Sequence, residues 1–512
     1  MNSIPFLSAG LLFINPILLL VFRQLDINFQ KLRFWFMVTT GVSWTISLVF
    51  SLTKPESRLD LNWNAVSQLI PGQAFSLDWI SIPLVLVLTA IPFFAALSQH
   101  FSPQQNVWLS GLAGVCILGV MADTVYTLLF FWTLIEVTWI TFSILNLDQE
   151  RDDGRLIIPF LFRLLGPLML IYAGLIGLED GTLASFSSFG SPSGPFLTIA
   201  GIVGFGTWLP IKNLMADEKQ EGDLGLLLGI LPSTISFMLI TRGAVLVDAN
   251  TIPPAFPFLA ALVTFSMAIL GFYTQKRWLS WKFWSLGFLS LIVGSFLLAA
   301  PAESLAWGLV YLLSGSTLFL LFNNKSRFAA ALGFGLIGIL PIPFFPAWIG
   351  AGLVSKGIPG VVFNIAVGLL LGGYLSNNIQ KLKEGEKIFT PVPMLYLLSP
   401  VVLCLTQILI AFESNLVDYS TGILTKPLSL WIPVLLMVLL TALGERIPKP
   451  EISDDPLRNT LDIIYRASLG TGRFLDRVIA ILTSLFEGEG GLIWALLIGF
   501  LLLTLINLSG GG

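Results

Sequence analysis

The chain has 512 residues, of which 55% are hydrophobic and 11% charged. A soluble domain carries about 25% charged residues, so this composition has too little polar surface for a globule in water. A soluble enzyme, a nucleic-acid binder and a disordered scaffold are excluded. Net charge is −3 with one histidine, His100, which leaves no basic footprint for nucleic acid. Cys116 and Cys404 lie far apart in apolar runs, without metal-ligand spacing or a disulfide framework. No haem, zinc, iron–sulfur or other cofactor site is expected. The class is an all-α polytopic membrane protein.

A spanning helix needs about 20 mostly apolar residues. In chain order the runs 4–22, 34–52, 79–98, 107–122, 125–145, 156–178, 196–212, 224–241, 255–273, 283–300, 304–323, 328–354, 358–376, 392–412, 428–443 and 491–507 predict spans. Allowing for one or two errors, the expectation is about 14–16 transmembrane helices. Residues 4–22 have no basic residues ahead of them and no small-residue cleavage site; they read as a first span and not as a removed signal peptide. The alternating ten-residue strands of a β-barrel are absent from the pattern. Frequent glycines predict close helix packing.

With the N-terminus outside, 21 of the Lys and Arg residues fall in cytoplasmic loops and 5 in outer loops, the latter being Lys54, Arg58, Arg242, Lys356 and Lys426. That bias follows the positive-inside rule and places both termini outside. Residues 53–78 and the Ser/Gly-rich 179–195 are outer loops. The polar stretch 446–490 carries Leu461, Ile464, Ile479, Leu482 and Leu485 among charges at roughly helical spacing. It reads equally as a cytoplasmic interfacial helix or as a plain connecting helix.

Charges inside a bilayer are costly and face partners or water. Three deep candidates stand out: Asp123, Glu136 and Arg163. At 1.5 Å per residue, Glu136 lies about 14 Å and Arg163 about 10 Å from the cytoplasmic ends of adjacent antiparallel helices, so an ion pair is expected. It serves either as a proton-handling carboxylate beside a movable cation or as a static lock between two helices. Prolines supply a second pattern. Trp208 and Pro210 close GFGTWLP in the seventh span, Pro232 interrupts the eighth, and Pro341, Pro343 and Pro346 fall in the long twelfth. Proline removes a donor and kinks a helix. Interrupted helices five spans apart fit two inverted five-helix repeats. The expected organisation is N-terminal helices over 1–106, repeats over 107–241 and 242–376, C-terminal helices over 377–445, the cytoplasmic segment 446–490, and a last helix with its tail over 491–512.

Several segments carry a family likeness. FSLDWIS (75–81), GVMADTVYTLLFFWTLIE (119–136), RLLGP (163–167), TWLP (207–210), QKRWLSW (275–281), YLLSGSTLFLLF (311–322), PIPFFPAW (341–348) and FEGEGGLIWALLIGFLLL (486–503) stand in one order along nearly the whole chain. Together they resemble the antiporter-like membrane subunits of complex I and of Mrp-type cation/proton antiporters. The resemblance implies a bundle of about fourteen or more helices with two inverted repeats. It also implies partner membrane subunits in an energy-converting membrane (bacterial inner membrane or thylakoid), and NADH and quinone chemistry carried by other subunits.

The departures matter as much. The family's helix-five glutamate position holds Thr133, and Glu136 stands one turn further on the same face. The family's midplane lysine and histidine positions fall near Ile199, Ser233, Gly315, Phe319 and Gly350. By that measure the chain resembles a degenerate member of the family. The leading reading is a membrane subunit of a complex I-like or Mrp-like assembly that takes part in proton or sodium translocation. The alternatives are a non-conducting structural subunit and an independent secondary transporter.

Overall fold

The computed structural model describes residues 4–24, 29–53, 57–61, 73–98, 103–145, 154–177, 185–208, 230–248, 251–274, 277–322, 341, 345–384, 394–411 and 432–443. Fifteen α-helices occur among them: α1 (Ile4–Gln24), α2 (Phe29–Thr53), α3 (Ser81–Ser98), α4 (Pro103–Val120), α5 (Val125–Leu145), α6 (Gly154–Ile176), α7 (Gly194–Trp208), α8 (Ser233–Leu246), α9 (Ala255–Tyr273), α10 (Arg277–Leu297), α11 (Pro301–Phe322), α12 (Pro346–Gly350), α13 (Ile358–Glu384), α14 (Met394–Ala411) and α15 (Ile432–Leu443). Each matches one predicted span. The sixteenth span and the 446–490 segment lie outside the described residues. Contacts divide the chain into one unit of residues 1–151 and 163–452 and a second of residues 152–162 and 453–512.

The helices have apolar outer faces as well as an apolar core. On α9, Phe256, Leu259 and Val263 are exposed while Ala261, Thr264 and Ala268 are buried. A helix that offers large apolar side chains outward and small ones inward suits a solvent of lipid tails, where small residues let backbones approach. The same logic joins α13 to α15: Gly368 and Gly372, one turn apart, lie against Pro433, Leu436, Met437 and Leu440.

The segment 53–78, expected as a loop, contains strands. It holds an antiparallel pair, β1 (Ser57–Leu61) and β2 (Gln73–Leu77), in register from Ser57 opposite Leu77 to Leu61 opposite Gln73. The hairpin continues the backbone pairing inward. Ser76 N–H donates to Met121 O at 2.8 Å, and Phe186 N–H donates to Asp123 O at 2.8 Å. Four non-contiguous segments thus satisfy one another's main-chain groups at one end of the bundle. Directly after β2, Asp78 starts α3. Its Oδ1 accepts from Ser81 N–H at 2.8 Å, and Ser81 Oγ accepts from Asp78 N–H at 2.8 Å, a reciprocal cap.

Among the described residues a helix break is seen at one of the proline segments. The twelfth span is not one long helix. Phe345 is extended (φ −120°, ψ 151°), Pro346 opens α12, and after Gly350 the chain tightens to a 3₁₀ turn over Ala351–Lys356. Gly357, at φ 83°, turns the chain into α13, a left-handed conformation that glycine adopts without steric cost. Carbonyls freed by the break are taken up by side chains: Trp307 Nε1 donates to Gly350 O and Asn364 Nδ2 to Ala351 O, both at 3.1 Å. Pro232 lies in the two-residue turn between helical Ile230 and the start of α8 at Ser233. Trp208 ends α7, and Pro210 and Pro343 lie outside the described residues. Pro341 is buried, before the break.

Candidate functional site

Glu136 sits in α5 and is 5% exposed. An ionised carboxylate at that depth is stable only with donors around it. One donor is a turn earlier on the same helix: Trp132 Nε1–H donates to Glu136 Oε1 at 3.2 Å. The indole has room because its neighbours lack side chains. A Cβ on Gly166 of α6 would stand 2.7 Å from its Cζ2, and one on Gly204 of α7 would stand 3.0 Å from its ring. The Gly204 position also faces Ser236 Oγ of α8 at 2.8 Å, and that hydroxyl is buried with no hydrogen-bond partner among the described residues. Two neighbouring helices, α6 and α7, therefore close on Trp132, and Trp132 in turn orients the carboxylate.

Register places Arg163. Val125 packs on Gly174 and Trp132 packs on Gly166, so α5 and α6 run antiparallel with a known offset. Carried one further turn, that offset sets Arg163 of α6 level with Glu136. The Arg163 side chain itself lies outside the described residues.

Asp123 lies between the predicted fourth and fifth spans, in the short connection from α4 to α5, and is buried at 3% exposure. Ser185 Oγ donates to its Oδ1 at 2.8 Å, and its own carbonyl holds Phe186 N–H. Its neighbours are main-chain pairing partners, because α4 ends before it at Val120 and α5 begins after it at Val125.

Arg242 needs a correction. Reading it as an outer-loop cation fails: it lies in α8, 7% exposed. It reaches the α3 cap, where its Nη2 lies 2.9 Å from Asp78 Oδ2, and its guanidinium stands 5.3 Å from the Phe186 ring centroid. Glu303, also missed by sequence reasoning, is 6% exposed in the first turn of α11, where the helix dipole favours an anion. The i, i+4 spacing of Trp132 and Glu136 was a usable signal. The Asp78–Arg242 pairing, between distant segments, was not.

The positions matching the family's midplane cations are apolar or engaged locally. Ile199 is 40% exposed on α7. Ser233 Oγ donates to Ile230 O at 2.5 Å. Gly350 is packed against the Trp307 indole. The surroundings of Gly315 and Phe319 lie outside the described residues.

The fold is that of an all-α membrane subunit. Its likeness to solved structures is specific. A chain of the Mrp complex from Dietzia sp. DQ12-45-1b aligns over 99% of this chain at TM-score 0.67 and 12% identity. A chain of respiratory complex I from Thermus thermophilus aligns over 86% of this chain and 99% of its own length, at TM-score 0.59 and 15% identity. A chain of an archaeal membrane-bound sulfane sulfur reductase aligns over 91% and 95%, at TM-score 0.54 and 11% identity. This chain spans 63% of the length of the Mrp chain it matches. No protein-family model matches the sequence, and no curated protein matches it by sequence. The shared fold is consistent with the antiporter-like subunit family.

Proposed function

We propose that this chain is a membrane subunit of a multi-subunit, ion-translocating assembly of the Mrp or complex I kind, and that its own part is structural rather than conducting. The observation that carries the first half is the fold, shared along 99% of the chain with a chain of an Mrp complex. The second half is supported by the apolar or locally bonded positions where the resemblance implies midplane cations. Partners are then other membrane subunits and the surrounding lipid. Purification in mild detergent should recover the chain with other membrane polypeptides; a lone monomer would favour an independent transporter instead.

A second reading has its own support. Glu136 is buried, held by Trp132, and level with Arg163, as a working proton site would be. Glu136→Gln separates the two, because Gln keeps the shape and cannot ionise. In vesicles carrying the whole assembly, pH- or sodium-gradient-driven flux should be unchanged by Glu136→Gln. A large loss of flux with normal assembly would establish the carboxylate as a proton site and overturn the structural reading.

The charge bias supports an orientation with both termini outside and residues 446–490 cytoplasmic. A Ser453→Cys variant should react with an impermeant thiol reagent only after cells are opened. Reaction in intact cells would reverse the topology.

A further inference from the structure

Six ring-bearing side chains from four helices meet near the middle of the bundle: Phe205 of α7, Phe237 of α8, Trp284 and Phe288 of α10, and Trp307 and Tyr311 of α11. None is more than 2% exposed. Tyr311 is the hub. Its ring centroid lies 5.4 Å from those of Phe205 and Phe237, 5.3 Å from Trp284 and 6.0 Å from Phe288. Around that hub the other rings pair in two runs: Phe205 to Phe237 at 5.4 Å, and Trp284 to Phe288 at 4.5 Å with Phe288 to Trp307 at 6.0 Å. These are contact distances for aromatic pairs, so the rings fill the space between them.

The cluster is central in depth. Tyr311 stands about 15 Å along α11 from its start, half the thickness of a hydrocarbon core of about 30 Å. It is also central in plan. Phe205 and Phe237 belong to the half that contains Glu136, while Trp284, Phe288, Trp307 and Tyr311 belong to the half that contains the α12 break. Two of its polar atoms turn to protein partners: Tyr311 Oη donates to Ser285 Oγ at 3.4 Å, and Trp307 Nε1 donates to Gly350 O.

In inverted-repeat transporters the ion site lies near the midplane where the two repeats meet. Passage there requires titratable groups or linked water. A water molecule needs two to four polar partners, and an apolar constriction blocks conduction by staying dry. Apart from the Tyr311 hydroxyl and the indole N–H groups of Trp284 and Trp307, the rosette offers ring faces and edges at that place. We propose that the aromatic rosette centred on Tyr311 is a dry partition between the two halves, so that no proton or cation crosses from one half to the other through the place the rosette fills. The inference rests on the reading of the chain as a membrane subunit and supplies the physical reason for its structural part.

The test is hydroxyl-radical footprinting of the wild-type assembly in lipid nanodiscs, read by mass spectrometry at Tyr311, Trp284 and Phe237. Radicals form from water, so these residues should stay at background. Modification at the rate of aromatic residues in the loops would overturn the partition. Phe237→Ser opens the rim on both Phe205 and Tyr311, and it should raise modification of Tyr311 by about tenfold as water gains a polar partner. A folded Phe237→Ser protein with Tyr311 still unmodified would also overturn it, since the rings would then not be the barrier. If the variant fails to fold, the wild-type measurement still decides. If the chain purifies alone, the subunit reading fails, while the footprint on the single chain still tests the partition.

Discussion

Arg163→Leu should sharply reduce the amount of assembled protein, and adding Glu136→Leu should restore part of it. The offset between α5 and α6, set by Val125 on Gly174 and Trp132 on Gly166, puts the two positions level. Glu136 is buried, so removal of a facing cation leaves a carboxylate with less compensation in a low dielectric. Breaking one side of a buried pair typically costs about 3–5 kcal/mol, softened in a membrane by water defects. Removing both charges removes that penalty, which is why the double variant should recover. The measurement is the level of detergent-stable protein in membranes for the two single variants and the double. Absence of rescue would show that the residues do not pair.

Gly201→Leu should be a strongly damaging small-to-large change at the α7–α8 contact. A Cβ at Gly201 would stand 2.6 Å from Ser236 O and 2.7 Å from Ile240 Cγ1. The first obstacle is backbone and cannot rotate away. Overpacking of a close-packed interior typically costs about 1–3 kcal/mol, and a Leu against a neighbouring backbone belongs at the upper end. Leu raises helix propensity and hydrophobicity, so any loss is steric. Gly10→Leu is the control: a Cβ there meets nothing within 4 Å. Thermal unfolding in detergent should show a lower midpoint for Gly201→Leu and little change for Gly10→Leu. Equal shifts at both positions would refute the close-approach account.

Most of the helical architecture was legible in the sequence for one reason. A bilayer satisfies no backbone hydrogen bonds, so each crossing must be a helix of about 20 apolar residues, and such runs can be read directly. The breaks were legible where proline enforces them, as at Pro346. Their geometry was not, since the 3₁₀ turn after Gly350 and the capture of its carbonyl by Trp307 depend on a helix over forty residues earlier. The β1–β2 hairpin escaped notice because five-residue strands in a polar loop carry a weak pattern.

Charge was the least legible property. Glu136 stood out because its neighbours in sequence are apolar, and its depth followed from counting residues along α5. Asp123 stood out for the same reason and proved to lie between helices, tied to Ser185. Arg242 looked like a loop residue because the predicted span ends at 241, yet it lies in α8, buried against Asp78. The amino-acid sequence by itself determined the membrane class, the run of helices and the residues with unusual chemistry, since composition and apolar run length need no partner to be read. Only the tertiary structure decided which of those residues meet. The Arg242 ion pair and the Tyr311 rosette join segments separated by tens to more than a hundred positions, and such pairings follow from packing between helices, which leaves no periodicity in the chain.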